Sequence, residues 1–445
     1  MYSSVQIYQT FPQIRALHFW LIIGLTALLM SGCQTFSILQ DTPLTVATGK
    51  AESIEVHQFT ITEKQAMVGM LASVDSASDD SLSDLARHYG LGFTDITLAN
   101  PELDPWLLNQ NESVLLPLQF VLPETPHKGI VLNLANMRLF FYPEQPGKVM
   151  TYPVGIGRDG WNTPLGTTKI VAKRANPAWT VPESIHREHE RLGDPLPKVI
   201  PSGPDNPLGY FAMPLGFSGY LIHGTNKPYG IGMQVSHGCV QLYPEDVEVL
   251  FNQVVVGTPV TIVHQPYLAA WEQDMLYLEV HKPLEKWASQ QKSMQKSLRT
   301  QLEKLASEQG GKIDWQRVED TLKRADGIPT PVLQNAMQAS ELRTDAIKLQ
   351  RPSRLFGQPT VRELSASDWS VVTGSLATET EARKLVAMLN HQGPQIPARK
   401  IEKNGQYRVV AGPFKNKKET RLAAKRIQIN FDMQVTPVKP VVKRE

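Results

Sequence analysis

Two histidines and a cysteine fall within 17 positions of one glycine-punctuated segment, His223 to Cys239, and this segment constrains the fold more than any other part of the chain. It runs Tyr220-Leu221-Ile222-His223-Gly224-Thr225, then Gly230-Ile231-Gly232, then Val235-Ser236-His237-Gly238-Cys239-Val240-Gln241-Leu242. Tyr220 to Ile222 reads as a short strand that delivers His223 to its end. Glycines at 224, 230, 232 and 238 allow sharp turns and a close backbone approach to a ligand. Pro244-Glu245-Asp246 then opens a helix, with Val247, Leu250, Phe251 and Val254 along one face. Cys239 is therefore expected on a loop braced by a strand before it and a helix after it.

A free thiol is only slightly ionised at neutral pH, and a nearby imidazole can take its proton to leave the better nucleophile. The offset from His223 to Cys239 lets a hairpin bring the two together, and consecutive N–H groups at Gly238 and Cys239 are placed to bind a developing oxyanion. The expected chemistry is acyl transfer through a thioester. Three other readings of the same residues stay open. His223, His237 and Cys239 are suitable zinc ligands, although no short-spaced ligand pair is present. Cys239 can be a buried structural thiol. A papain-type protease would need a different local cysteine signature.

Of the 445 residues, 41% are apolar and 20% charged, with 45 Lys+Arg against 43 Asp+Glu. This is the composition of a folded chain of several domains, with no overall nucleic-acid signal. The two cysteines, Cys33 and Cys239, exclude a disulfide-rich scaffold or a four-cysteine metal site. Phe19 to Met30 is an apolar run shorter than the ~20 residues of a membrane span, and fits the core of a secretory signal. It ends in Met30-Ser31-Gly32-Cys33, which resembles a bacterial lipoprotein box. The resemblance implies a signal over residues 1–32, acylation of Cys33 and a lipid anchor. With Gln34 next, it points to the periplasmic face of a Gram-negative outer membrane.

After a polar tether over 33–56, residues 57–122 form a small module. Leu82, Leu85, Ala86 and Tyr89 share one helical face, Gly90 caps that helix, a second helix precedes Ala99-Asn100-Pro101, and Ser113 to Leu116 reads as a strand. The order resembles a LysM module, a binder of wall glycan, with a longer polar insert over 62–80. Residues 128–264 are β-rich, with a hairpin of 129–134 and 137–142 and a stiff loop of five prolines between Gly193 and Pro207. Within the same region, His186 to Glu190 reads as a polar loop between strands, not as the His-Glu-x-x-His of a zinc protease. Residues 265–365 read as a charged helical subdomain or linker. In 366–440, Trp369 to Leu376 is matched 38 residues later by Tyr407 to Phe414, each followed by a helical stretch. Two strand–helix halves predict a β-α-β-β-α-β, ferredoxin-like sheet. This part is basic, with 15 Lys+Arg against 7 Asp+Glu from Asp368 onward. It resembles a SPOR domain, which binds peptidoglycan glycan strands.

The segment around Cys239, with Gly155-Ile156-Gly157, Thr163-Pro164-Leu165-Gly166 and Pro201 to Pro207, is similar to the L,D-transpeptidases with a YkuD-type catalytic domain. The resemblance implies a β-sandwich-like catalytic domain over 128–264 and a multidomain enzyme overall. It implies Cys239 as nucleophile, His223 as general base, the Gly224 carbonyl as orienter of His223, and Ser236, His237 and Gly238 as the oxyanion and substrate site. The implied donor is a peptidoglycan tetrapeptide stem that loses D-alanine. The acceptor is a second stem (a 3→3 cross-link), a lysine of an envelope lipoprotein, or water, as in an L,D-carboxypeptidase. No cofactor or metal is implied, and no nucleic-acid partner. Gln241 stands where the family carries arginine. The lost charge predicts a weaker grip on an anionic stem, and in the extreme a wall-binding lipoprotein without activity.

Overall fold

The structure, a computed structural model, describes residues 58–63, 65–191 and 195–440. Cys33 and the expected signal and tether lie outside the described residues. Within them, no helix is long and apolar enough to cross a membrane.

The region over 128–264 is built on a six-stranded sheet in the order 58–60, 148–153, 138–142, 129–133, 259–263, 166–169. All neighbours are antiparallel except 259–263 beside 129–133. Strands Gly129–Asn133 and Arg138–Tyr142 are buried at every position. Their sequences, GIVLN and RLFFY, lack the alternation of a one-faced strand because both faces are covered. On one face Ile130, Leu132, Leu139 and Phe141 pack with Met213, Ile222, Val240 and Leu242 and with Val247 and Leu250 of helix Pro244–Gln253. On the other, Val131, Phe140 and Val149 share a core with Leu82, Leu85 and Ile96 of the N-terminal module.

That module is a strand (Ala72–Asp75), two helices (Leu82–His88 and Phe93–Ala99) and a returning strand (Ser113–Leu116) paired antiparallel with the first. Its first helix starts on a capping box between Ser81 and Asp84. Its expected boundaries are porous. Gln58–Thr60 joins the catalytic sheet, and Ile347–Leu349 adds a parallel strand to the module from far down the chain. Asp80, 1% exposed, holds Arg351 through two oxygens, at 2.7 Å to Nε and 2.6 Å to NH2. Fully buried Arg138 reaches from the catalytic sheet to Asp95 Oδ2 at 3.0 Å and lies 3.9 Å over the Phe120 ring. Burial lowers its pKa, and the Asp95 carboxylate opposes that shift.

Two sequence expectations need correction. Residues 265–365 are not simply helical. Tyr267–Glu272 and Met275–Val280 form a hairpin extended by Thr330–Pro331, and helices Gln291–Glu308 and Trp315–Arg324 pack on it through a core of their own. The hairpin turns at Gln273 with φ +52°, so the glycine that usually marks such a turn is absent. His186 to Glu190 is not a loop but part of helix Glu183–Arg191, whose Ile185 and His189 face inward at i and i+4.

The C-terminal region has the order strand 369–373, helix 379–390, strands 398–403 and 406–414, helix 417–431, strand 435–438, in one antiparallel sheet. Helix Glu379–Asn390 and the residue that follows it face the N-terminal module. Arg383 Nε meets Asp79 Oδ1 at 2.8 Å, Lys384 pairs with Asp104, and His391 Nε2 lies 2.8 Å from Asp84 Oδ1. Burial disfavours a charged His391, but the Asp84 carboxylate outweighs it and raises the histidine's pKa. Asp84 is likewise held below the ordinary carboxylate value, its desolvation outweighed by His391 and Ser81.

Two outcomes follow from these contacts. A group with a raised folded pKa stabilises fully below its ordinary value and stops doing so as pH rises through the raised one. NMR titration should place the His391 pKa above 6.5, and the melting midpoint of the C-terminal region should fall as pH rises through it; a value below 6.5 contradicts the docking. At Gly232, φ is +81° and a Cβ would overlap the Gly92 Cα. Gly232→Ala should therefore lower stability by about 3 kcal/mol in urea unfolding, from left-handed strain and overpacking together.

Candidate active site

A second sheet of four short strands, 174–175, 211–214, 221–223 and 240–241, carries the candidate residues. Leu221–His223 and Val240–Gln241 run parallel, with Ile222 opposite Val240 and His223 opposite Gln241. Cys239, one residue before its strand, falls opposite Leu221. Carried one residue beyond the ladder, the parallel register sets Cys239 diagonally across the pair from His223. Standard strand spacing and rise put their Cα atoms about 8 Å apart, within reach of an imidazole and a thiol.

His223 is 3% exposed, and its Nδ1 donates to the Gly224 carbonyl at 2.6 Å. Desolvation drives its pKa down to about 4, against smaller opposing effects of the Gly224 and Leu208 backbone. The ring is thus neutral at physiological pH, the form a general base requires. Desolvation also pushes the Cys239 thiol up to about 11, against a weaker effect of the Leu221 backbone. The resting pair is thiol and neutral imidazole, not thiolate and imidazolium. In this state Sγ points to the Gly219 carbonyl at 3.8 Å, and among the described residues it makes no hydrogen bond to His223.

Ser236 and Thr163 shape the loop. Ser236 Oγ donates to the Cys239 carbonyl at 2.5 Å and accepts from the Gly238 N–H at 3.1 Å. The oxyanion site expected from the N–H groups of Gly238 and Cys239 therefore has its first donor engaged in this state. Thr163, 2% exposed, accepts from the Gly157 N–H at 3.2 Å and donates to the Gly238 carbonyl at 2.9 Å. The sequence marked Thr163 only as part of a segment that carries the family resemblance; its bracing role is tertiary. Gly238 has φ +101°, and a Cβ there would lie 2.8 Å from the Tyr220 ring. It thus supplies the left-handed bend before the nucleophile position.

Gly232, expected to approach a ligand, serves a different contact. The Phe93 N–H donates to the Ile231 carbonyl at 2.9 Å, and Thr94 Oγ1 to the Gly232 carbonyl at 2.5 Å. The start of the module's second helix is thus seated on the active-site segment. Beyond Cys239 the module grips again. Arg87 meets Glu245 at 2.8 and 2.9 Å, and Tyr243 Oη donates to the Leu91 carbonyl at 3.1 Å.

His237 does not join His223 and Cys239 as a ligand set, and no cluster of three metal-binding side chains occurs among the described residues. Its Nε2 lies 2.8 Å from Glu188 Oε2 and 2.9 Å from Arg158 NH2. The Trp161 ring sits 4.6 Å away at 63°. Against the cost of desolvation, hydrogen bonds from His237 and Arg158 hold the Glu188 carboxyl down to about 2. Sequence reasoning missed Arg158 and the role of Glu188, because their partners lie 79 and 49 residues away along the chain.

The sequence model of the YkuD L,D-transpeptidase catalytic domain matches residues 127–262, and that of the SPOR domain matches residues 365–436. The chain is 42% identical over 227 residues to the probable L,D-transpeptidase YbiS of Escherichia coli (strain K12), covering 50% of this chain and 74% of that protein. It is 37% identical over 275 residues to the probable L,D-transpeptidase ErfK/SrfK of the same strain, covering 60% of this chain and 86% of that one. Half the chain aligned to one relative and three-fifths to another place it in the L,D-transpeptidase family, with a SPOR domain at its C-terminal end.

Proposed function

We propose that this chain is a lipid-anchored envelope L,D-transpeptidase in which Cys239 forms an acyl-enzyme on a tetrapeptide stem of peptidoglycan. The parallel pairing of Ile222 with Val240 carries this reading, because it draws the end of the His223 strand toward the loop that ends in Cys239. The sulfur attacks the diaminopimelate carbonyl while His223 takes the S–H proton. The tetrahedral intermediate collapses, its C–N bond breaks, and the proton passes from His223 to the departing amine of D-alanine. A thioester remains. An acceptor amine then attacks it, loses its proton to His223 and releases the thiol. A stem amine gives a 3→3 cross-link, a lipoprotein lysine gives a wall-attached protein, and water gives a trimmed tripeptide. The thioester carries the energy of the broken amide forward, so no nucleotide is consumed.

The rest of the chain serves delivery. The strand–helix–helix–strand order of the N-terminal module supports a LysM-like glycan contact. The SPOR domain supports a second one, and two weak contacts on one chain raise the local stem concentration by avidity. Acylation of Cys33 would tether both to the outer membrane from its periplasmic side.

Purified protein incubated with tetrapeptide muropeptides should yield cross-linked dimers with release of D-alanine by mass spectrometry, and Cys239→Ala should abolish all product. Turnover that survives this substitution would remove the thioester mechanism. A second outcome concerns the resting thiol. Its alkylation by iodoacetamide should be slow at pH 7 and keep accelerating toward pH 11, the value burial gives it. A rate already at its plateau by pH 7 would instead indicate a preformed thiolate–imidazolium pair.

A further inference from the structure

Helix Glu183–Arg191 hangs over the active-site loop from a two-stranded base, Trp179–Thr180 paired with Val199–Ile200. Its Ile185 packs with Trp179 and Leu208 and against Leu221, on the strand of His223. Its Glu188 reaches down to the loop of Cys239. Both Glu188 oxygens crowd one nitrogen of Arg158, NH2, at 2.6 and 2.7 Å. His237 Nε2 lies beside both groups, and with one proton it can donate to Glu188 or accept from Arg158, but not both. The Nε of Arg158 is buried and has no partner among the described residues. Glu188 therefore does not make the parallel two-nitrogen contact that a guanidinium offers a carboxylate. The carboxylate engages one nitrogen of the cation and leaves its buried Nε without a partner.

The position of Arg158 suits a different carboxylate. Its N–H donates to the Ser236 carbonyl at 2.9 Å, so it lies alongside the loop that ends in Cys239. His237 is two residues from Cys239, at most about 7 Å along the backbone. A carboxylate one or two residues from the scissile carbonyl of a peptide spans a similar distance. An open cleft of about 700 Å³ adjoins the cluster, lined by Trp161, Ser184, Arg187, Glu190 and Arg191. Position 241, after the nucleophile, is a neutral glutamine.

We propose that Arg158, with His237, is the carboxylate anchor of this active site, and that Glu188 is its internal occupant, displaced by a carboxylate of the incoming peptide stem. Displacement frees helix Glu183–Arg191 from the loop, so entry of an anionic stem and lifting of the helix are one event. Arg158 is a binding residue here, and Glu188 a positioning residue that competes with substrate. The inference rests on the reading that the stem is the substrate of Cys239.

The test reads binding rather than turnover. On a Cys239→Ala background, calorimetry measures the affinity of a tetrapeptide stem with its carboxylates free, with the terminal one amidated, or with an internal one amidated. Arg158→Gln should weaken the free stem about tenfold or more, as expected for loss of a charged hydrogen-bonded pair. Glu188→Gln should tighten it several-fold, because a neutral amide competes less well for the guanidinium. Amidating the anchored carboxylate should weaken binding to the parent and erase both effects, which identifies the carboxylate concerned. Arg158→Lys should recover part of the affinity, and together with Glu188→Gln it keeps the test decisive if Arg158→Gln does not fold. If Glu188→Gln weakens binding, or if neither amidation changes the effect of Arg158→Gln, the trio is a brace and the proposal fails. Absence of turnover in the parent enzyme would sink the transpeptidase reading while leaving the binding result intact.

Discussion

Two residue pairs of parallel ladder, Ile222 with Val240 and His223 with Gln241, hold the candidate site together. Ile222 and Val240 are each at most 1% exposed and belong to the core beneath the site. Parallel strands cannot be joined by a tight turn, so the chain must travel away and return between them. The connection from Gly224 to Gly238 makes that excursion. In doing so it presents Ile231 and Gly232 to the N-terminal module and Ser236 to the loop of Cys239.

Burial decides the electrostatics. It lowers the pKa of His223 and raises that of Cys239, so the resting site holds no charge on either group. Charge is concentrated one step away, in Arg158 and Glu188, where opposite signs meet. This separation suits acyl transfer. In the proposed reaction a neutral imidazole would take the proton as the sulfur attacks.

The N-terminal module packs on the segments that flank the candidate site as well as on the six-stranded sheet. It covers the second face of that sheet, touches the segment before Cys239 through Phe93 and Thr94, and touches the helix after it through Arg87. The C-terminal region docks on the same module through His391, Arg383 and Lys384. Gly393 also lies against Asn226 and Lys227, just beyond His223-Gly224-Thr225. The SPOR domain and the candidate site therefore share neighbours.

Much of this was legible in the sequence. The spacing of Leu82, Leu85, Ala86 and Tyr89 gave the first helix, the 38-residue repeat gave the two strand–helix halves, and the glycine-punctuated histidine–cysteine segment gave the chemistry. These are local signals, set by periodicity, backbone freedom and functional-group type, which a linear chain displays directly. The hairpin 267–280 was not legible, because its turn at Gln273 lacks glycine. Nor was the helix at 183–191, whose inward face is little more than Ile185 and His189. Only the tertiary structure decided that Gly232 meets Gly92 and not a ligand, that the Gly238 N–H is held by Ser236, and that Glu188 lies on Arg158 and His237. Each is a contact between residues whose partner is chosen by packing, and packing is a property of the folded chain, not of its local pattern.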